Sequence, residues 1–557
     1  MAKNKKNKFK LRYVLILIIL VSASFAFYKF FPEKFNKINN NKIYNGYLKS
    51  DKYEVELMEK DDTTKTKKFI RGTKIKYFEK KISVDEVLYT EVKINNDHYL
   101  ISDDYITNKY EEVVGEKTRY VRTSTTIYKE KDKLDISGFY KKGEEINIIG
   151  FDRLNDDGSV NMYKTEKGYV YSKYLEELLD VANKNYDPNG LYLTHVSRGD
   201  SYGGGSADNL DYYPVDKPNF ENNKLLDNAK TLYLNCGVLN NIDAYINLAK
   251  NTGINAFVVD IKENTIPSYK SDVMKEYSPT AYNKAVYSKE DYKNIIKKLK
   301  DNGFYVIGRI TTFKDSDYIN DHPEDAITST STGTPFLHNG SYWPSAFVRR
   351  VWEYNVKLAV ESVKDIGFNE IQFDYMRFPD RSYTIEKNGL VDMHNIYGET
   401  KAQALQSFLF YATDAIHDAN AYVSVDVFGE SSNQYVTAYG QYWPAISNVV
   451  DVISAMPYPD HFNNNQYGLV TPWTEPYRLM STWAREASLR QKEIPTPAIA
   501  RTWIQAYDAI KQPYNKYGPE EIRAEIKGLN DGGLTGGFIT WNGSSNINKY
   551  QYISTGW

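Results

Sequence analysis

After Lys230 the chain alternates short runs of β-type residues with stretches of helical periodicity. The strand-like runs are Leu232–Leu234, Ala256–Ile261, Tyr305–Ile310, Glu370–Asp374, Tyr422–Val427, Val452–Met456, Thr496–Ala500 and Gly537–Trp541. Between them, Ser288 and Asp291 open a helix whose Tyr292, Ile295, Ile296 and Leu299 recur on one face before Gly303 ends it. Other helical stretches run from Phe347 to Gly367, from Lys401 to His417, and from Pro519 to near Gly528. Strands separated by helices must pair in parallel, because a hairpin turn cannot return the chain in the same direction. Eight such units predict an α/β fold, a (β/α)8 TIM barrel over residues 230–557. The competing arrangement, a doubly wound open sheet, calls for a Gly-rich phosphate loop after an early strand, and the sequence has none.

Strand after strand in this region ends in a polar or aromatic group: Asp260 with Lys262 and Glu263, Arg309, Asp374 with Arg377, Asp426 with Glu430, Tyr458 with Asp460 and His461, Arg501 with Trp503, and Trp541. Side chains alternate along a strand, so Gln372 shares a face with Asp374, and Ser424 shares one with Asp426. If both faces point inward, Asp374 and Asp426 emerge side by side at the C-terminal mouth, where barrel enzymes do their chemistry. Crowded carboxyls raise at least one pKa, which acid catalysis requires. A pair flanking a glycosidic bond stands about 5 Å apart for retention or ~6.5–9.5 Å for inversion. The sequence leaves that choice open. The expected catalytic groups are Asp374, Asp426 and, as competing acid, Glu430; the expected substrate contacts are Asp260, Lys262, Arg309, Arg377, Tyr458, Asp460, His461, Arg501 and Trp541.

Other chemistries lack their residues. The histidines form no ligand-spaced pair and Cys236 is the only cysteine, so no metal, cofactor or disulfide framework is expected. There is no Gly-x-Ser-x-Gly elbow. With 70 basic and 72 acidic residues, no overall field points to nucleic acid.

The N-terminus predicts a place for the chain. A basic tail, residues 1–12, precedes the uncharged run from Tyr13 to Tyr28 that Lys29 ends. That pattern predicts a transmembrane signal anchor over 13–31, single-pass in the cell membrane with the bulk of the chain extracellular. Secretion after signal cleavage is the alternative. Residues 44–112 and 117–178 read as two copies of a small all-β barrel, each ending on a similar Tyr- and Ser-containing strand. Residues 181–229, polar and carrying Gly203-Gly204-Gly205, read as a linker or the start of the main domain.

Two resemblances follow from these strings. Val121-Arg122 and Gly168-Tyr169-Val170-Tyr171-Ser172-Lys173-Tyr174-Leu175 resemble bacterial SH3-like domains, which implies binding to cell-wall glycan or peptide; residues 44–112 resemble them less closely. Asn255-Ala256-Phe257-Val258-Val259-Asp260-Ile261-Lys262, Tyr305-Val306-Ile307-Gly308-Arg309 and above all Phe373-Asp374-Tyr375-Met376-Arg377-Phe378-Pro379 resemble a bacterial glycoside hydrolase family of α-amylase-like barrels. That resemblance implies a polysaccharide substrate, a nucleophile at Asp374 and an acid on the next strand. Gln372 stands where α-amylase-type enzymes carry an Arg, and Asp426 where they carry a Glu. The expectation is a hydrolase acting on a bacterial surface, cell-wall or secreted polysaccharide; a non-catalytic glycan-binding or cell-envelope scaffold protein is the alternative.

Overall fold

A computed structural model describes residues 41–195 and 203–557. The basic tail and the apolar run expected to form a membrane anchor lie outside the described residues, as does the tripeptide Arg198-Gly199-Asp200. Among the described residues no helix is long and apolar enough to cross a membrane.

The described residues divide into two compact units, one of 41–117 with 150–161, the other of 118–149 with 162–195 and 203–557. The first contains a seven-stranded antiparallel sheet between Ile43 and Thr107. Alternate side chains such as Val55 and Leu57 bury on Leu48, Val92 and Tyr99. Buried Arg71 ties this unit together, donating to the carbonyls of Ser50 and Gly158 and to Glu116.

The second unit is mixed α/β and is built on a nearly closed, barrel-like parallel sheet. We label its strands β1 (Ala229–Leu234), β2 (Ala256–Glu263), β3 (Tyr305–Thr311), β4 (Glu370–Asp374), β5 (Tyr422–Phe428), β6 (Val452–Met456), β7 (Ile499–Ala500 and Thr502–Gln505) and β8 (Gly537–Trp541). They pair in sequence order, and β8 returns to β1. The first part of β7 pairs with β6 and the second with β8. Its interruption at Arg501 is where the sheet is least regular.

Helices cover the outside, among them Lys289–Asp301, Arg349–Glu361, Lys401–Asp418, Pro476–Lys492 and Pro519–Asp531. The Ser288 side chain caps the first of these through the Asp291 N–H, and Thr400 with Gln403 forms a full capping box on the third. Gly367, at φ 100°, ends the stretch that begins at Arg349, in a conformation that favours glycine.

Residues 118–149 and 162–176 form a small antiparallel β module docked on the barrel helices. The Tyr174 hydroxyl donates to Asp414 at 2.7 Å, the Lys173 ammonium pairs with the same carboxylate, and the Ile136 N–H donates to Glu353. The segment expected as a linker is packed too: Tyr192 and Tyr212 stack with ring centres 3.6 Å apart, over Val436, Tyr442 and Ala445.

Candidate active site

In a parallel sheet, residues in register point the same way. Asp260 lies beside Arg309, Arg309 beside Gln372, and Gln372 beside Ser424. All four therefore face the barrel interior, as do Tyr233, Trp503 and Ile539 of the inner apolar cluster. At the C-terminal end this interior opens into a cavity of about 620 Å³, bordered by Tyr233, Asp260, Glu263, Arg309, Asp374, Tyr375, Arg377, Tyr458, His461, Trp503 and Trp541 among others.

Arg309 is the centre of the site. Its Nη1 donates to Asp260 Oδ1 at 2.7 Å and to Glu263 Oε2 at 2.5 Å. Its Nη2 and Nε both reach Asp374 Oδ2, at 2.5 and 3.1 Å, and Nε lies 3.9 Å from Asp426 Oδ2. One fully buried guanidinium thus faces four carboxyls.

Two of the four are placed to hold a proton. Burial lifts the Asp260 pKa to about 6 against the pull of Arg309, and the neighbouring Glu263 charge adds to the rise. Burial pushes Asp426 well above the usual carboxylate range, with the charge of Asp374 as the next cause. Asp426 accepts from the Trp503 indole at 2.6 Å, and its Oδ2 has no hydrogen-bond partner among the described residues. Asp374 has a different setting: Oδ2 takes two Arg309 donors and Oδ1 accepts the Tyr375 N–H at 2.6 Å. Tyr375 holds that contact with φ at +49°, a sparsely populated conformation for a bulky residue.

Tyr233 donates to Asp260 Oδ2 at 2.5 Å and packs on Trp541, whose ring lies edge-on to Trp503. Arg377 sits at the rim over the Phe428 and Trp343 rings and pairs with Asp380 at 2.9 Å. Burial lowers the His461 pKa, so its imidazole is neutral at neutral pH. Cys236 borders the cavity, but burial raises its thiol pKa and leaves it a poor nucleophile.

Of the expected residues, Asp260, Arg309, Asp374, Arg377, Tyr458, His461 and Trp541 meet at this cavity. Five others do not line it. Lys262 is fully buried outside the barrel interior, paired with Asp315 and near Asn355, because a bulge between Asp260 and Lys262 reverses the strand's alternation. Arg501 pairs with Glu370 deep in the barrel, since β7 runs on to Gln505 rather than stopping at Ala500. Asp460 is an internal anchor, accepting from the Tyr507 hydroxyl and the Ile510 N–H. Asp426 is 0% exposed because β5 continues two residues past it. Glu430 lies on the turn after β5 and lines an adjoining cavity.

Tyr233 and Glu263 are site residues absent from the expected set. Tyr233 shares the alternation of Thr231, which would have placed it inward; Glu263 is visible as an acid at the end of β2, but the bulge before it hides which way it faces. Among the described residues no group of His, Cys, Asp and Glu is arranged to hold a metal ion.

No curated protein matches the chain. Among solved structures it is similar to a hypothetical protein from Ruminiclostridium thermocellum, at 29% identity and a TM-score of 0.30, over 35% of this chain and 97% of that one. It is also similar to the PgaB (BpsB) glycoside hydrolase domain from Bordetella bronchiseptica, at 14% identity and a TM-score of 0.41, over 59% and 99%. A third is the noncanonic maltogenic α-amylase AmyB from Thermotoga neapolitana, at 11% identity and a TM-score of 0.33, over 50% and 60%. The model of the family described as "Putative glycosyl hydrolase domain" matches residues 231–548, more than half of the chain and nearly the whole barrel, and the chain belongs to that family.

Proposed function

We propose that the protein is an extracytoplasmic glycoside hydrolase that cleaves a bacterial surface, cell-wall or secreted polysaccharide. One observation carries this: a single guanidinium holds carboxyls of two kinds at the mouth of an aromatic-walled cavity. Asp374, fixed as an acceptor by three N–H donors, attacks the anomeric carbon or takes the proton of an attacking water. Asp260, protonated in mildly acidic medium, turns its Oδ2 contact with Tyr233 into a donated hydrogen bond, and as its proton passes to the Tyr233 oxygen the Tyr233 hydroxyl gives its own to the departing glycosidic oxygen. Arg309 holds both in place, balancing the charge of Asp374 before the step and the charge left on Asp260 after it. Asp426 touches no substrate in this scheme. Its neutral carboxyl beside Arg309 is a positioning group that spares Asp374 a second negative neighbour. Trp541 offers a ring face to the sugar, and Arg377 a donor at the rim.

The basic tail and uncharged run at the N-terminus support a single-pass membrane anchor, with release by signal cleavage as the other route. The SH3-like strings of the docked β module support contact with cell-wall glycan or peptide.

The test is release of new reducing ends from a panel of bacterial exopolysaccharides and wall glycans by the purified chain. Asp374→Asn and Asp260→Asn should each lower kcat about 10²–10⁴-fold while staying folded, and wild-type kcat/KM should fall as pH rises through about 6. A glycan retained equally by all three proteins and cut by none would make this a binding protein.

A further inference from the structure

The cavity at the barrel mouth has a neighbour. A second cavity, of about 410 Å³, is lined by Glu430, Asn433, Tyr435, Asn463 and Tyr467 among others. The two adjoin, sharing Phe428, Met456 and His461 as a common wall. Each falls within the roughly 300–1,000 Å³ range of small-ligand sites, so together they suit separate sugar units of one chain.

The second cavity is built around a carboxylate. Glu430 Oε1 accepts from the Tyr435 hydroxyl at 3.0 Å and Oε2 from the Tyr439 hydroxyl at 2.9 Å. Asn433 donates to the Tyr435 hydroxyl at 3.1 Å, which fixes that ring in turn. Phe428 packs edge-on against Tyr439, and Phe462 lies tilted against Tyr467, so aromatic rings and polar groups both line the space. At the shared wall stands His461, its side chain 53% exposed and its ring edge-on to Tyr458. Glu430 does not border the first cavity, where Arg309 stands. It is therefore badly placed for proton delivery and well placed to accept hydroxyls from a sugar next to the one being cut.

We infer that the reaction cleft continues into this second compartment, where Glu430 holds the sugar chain beyond the cleavage point, so that the enzyme cuts a linear polysaccharide internally. The inference rests on the hydrolase reading above.

The probes are oligosaccharides of two to eight units prepared from cellulose, chitin, chitosan and β-1,3-glucan. Binding is measured by calorimetry on the Asp374→Asn chain, and cleavage on the wild type. Affinity, and kcat/KM where cleavage occurs, should climb as oligomers grow long enough to fill both cavities. Glu430→Gln should raise KM for the longest cleaved oligomer about ten- to hundredfold relative to the shortest, the value of a hydrogen bond to a charged group, with kcat little changed. Tyr467→Ala, at another residue lining this cavity, should act in the same direction and covers the case in which Glu430→Gln fails to fold. A length-independent kcat/KM, or an equal loss of kcat on every oligomer, overturns the second compartment while leaving the hydrolase reading standing. Binding that climbs with length and weakens in Glu430→Gln, without cleavage of any probe, keeps the compartment and removes the hydrolase. No binding and no cleavage removes both.

Discussion

Replacing Asp260 by Asn tests the acid assignment without needing a substrate. Asp260 is 1% exposed, and its pKa rises from 3.8 to about 6 on folding. At 1.36 kcal/mol per unit, that shift means the folded barrel gives up about 3 kcal/mol once Asp260 is ionised. The raised folded pKa fixes the sign. Below about pH 4 both states carry the proton and nothing is lost; between about pH 4 and 6 the folded state keeps a proton that the unfolded chain has released, so stability falls as pH rises. Roughly 2 kcal/mol of the loss lies between about pH 4.5 and 7.5. Asp260→Asn cannot titrate and lacks this slope, whatever it loses by giving Arg309 a neutral partner. All eight tryptophans lie at or beyond Trp343, so indole fluorescence follows the barrel unit alone during urea unfolding. The variant-minus-wild-type midpoint should move in the variant's favour by roughly 0.5 M urea between about pH 4.5 and 7.5, for a slope m at or above ~3 kcal/mol/M. A flat difference, or one of opposite sign, would mean that Asp260 holds no proton at working pH, and the proposed acid would have to be given up.

Three further substitutions separate roles that proximity alone would blur. Asp426→Asn, a near-isostere of the neutral acid, should cost less than about tenfold in kcat/KM, against the 10²–10⁴-fold expected for Asp374→Asn, as read by reducing-end release. Arg501→Met strands Glu370 in the barrel and should destabilise it by about 3–5 kcal/mol in urea, while folded molecules keep their KM. Lys262→Met strands Asp315 with a similar loss of about 3–5 kcal/mol, and glycan affinity of the folded fraction should not change.

The sequence carries the strand positions well because buried parallel strands are short apolar runs with sharp ends. Glu370–Asp374, Val452–Met456 and Gly537–Trp541 begin and end in the structure where the pattern puts them. Alternation also turns Gln372 inward correctly: its Nε2 reaches the Ser454 hydroxyl across the barrel at 3.3 Å. What alternation cannot carry is depth. Arg501 was read as a mouth residue because polar Thr502 and Gln505 hide the rest of β7, and only the pairing with β8 reveals it. Lys262 was lost to a one-residue bulge that reverses the faces. The glycine- and serine-containing stretch before β1 reads as a linker by composition, yet Tyr192 and Tyr212 find apolar partners on the barrel that are distant in sequence.

The two charged tiers inside the barrel show why only one of them is suited to catalysis. Lower down, Glu370 accepts from Arg501 at 2.9 and 3.1 Å and from the Tyr305 hydroxyl at 3.0 Å. One cation meets one anion, both are 0% exposed, and no proton has to be stored. Such a pair fixes the packing of the barrel interior and contributes little else. At the mouth, one cation meets four carboxyls, and burial raises the pKa values of two of them, Asp260 and Asp426. A site balanced like the lower tier could bind a sugar but would have no proton to give. The surplus of acid over base at Arg309 leaves a proton held beside a fixed carboxylate and next to open volume, and that combination is what hydrolysis of a glycosidic bond requires.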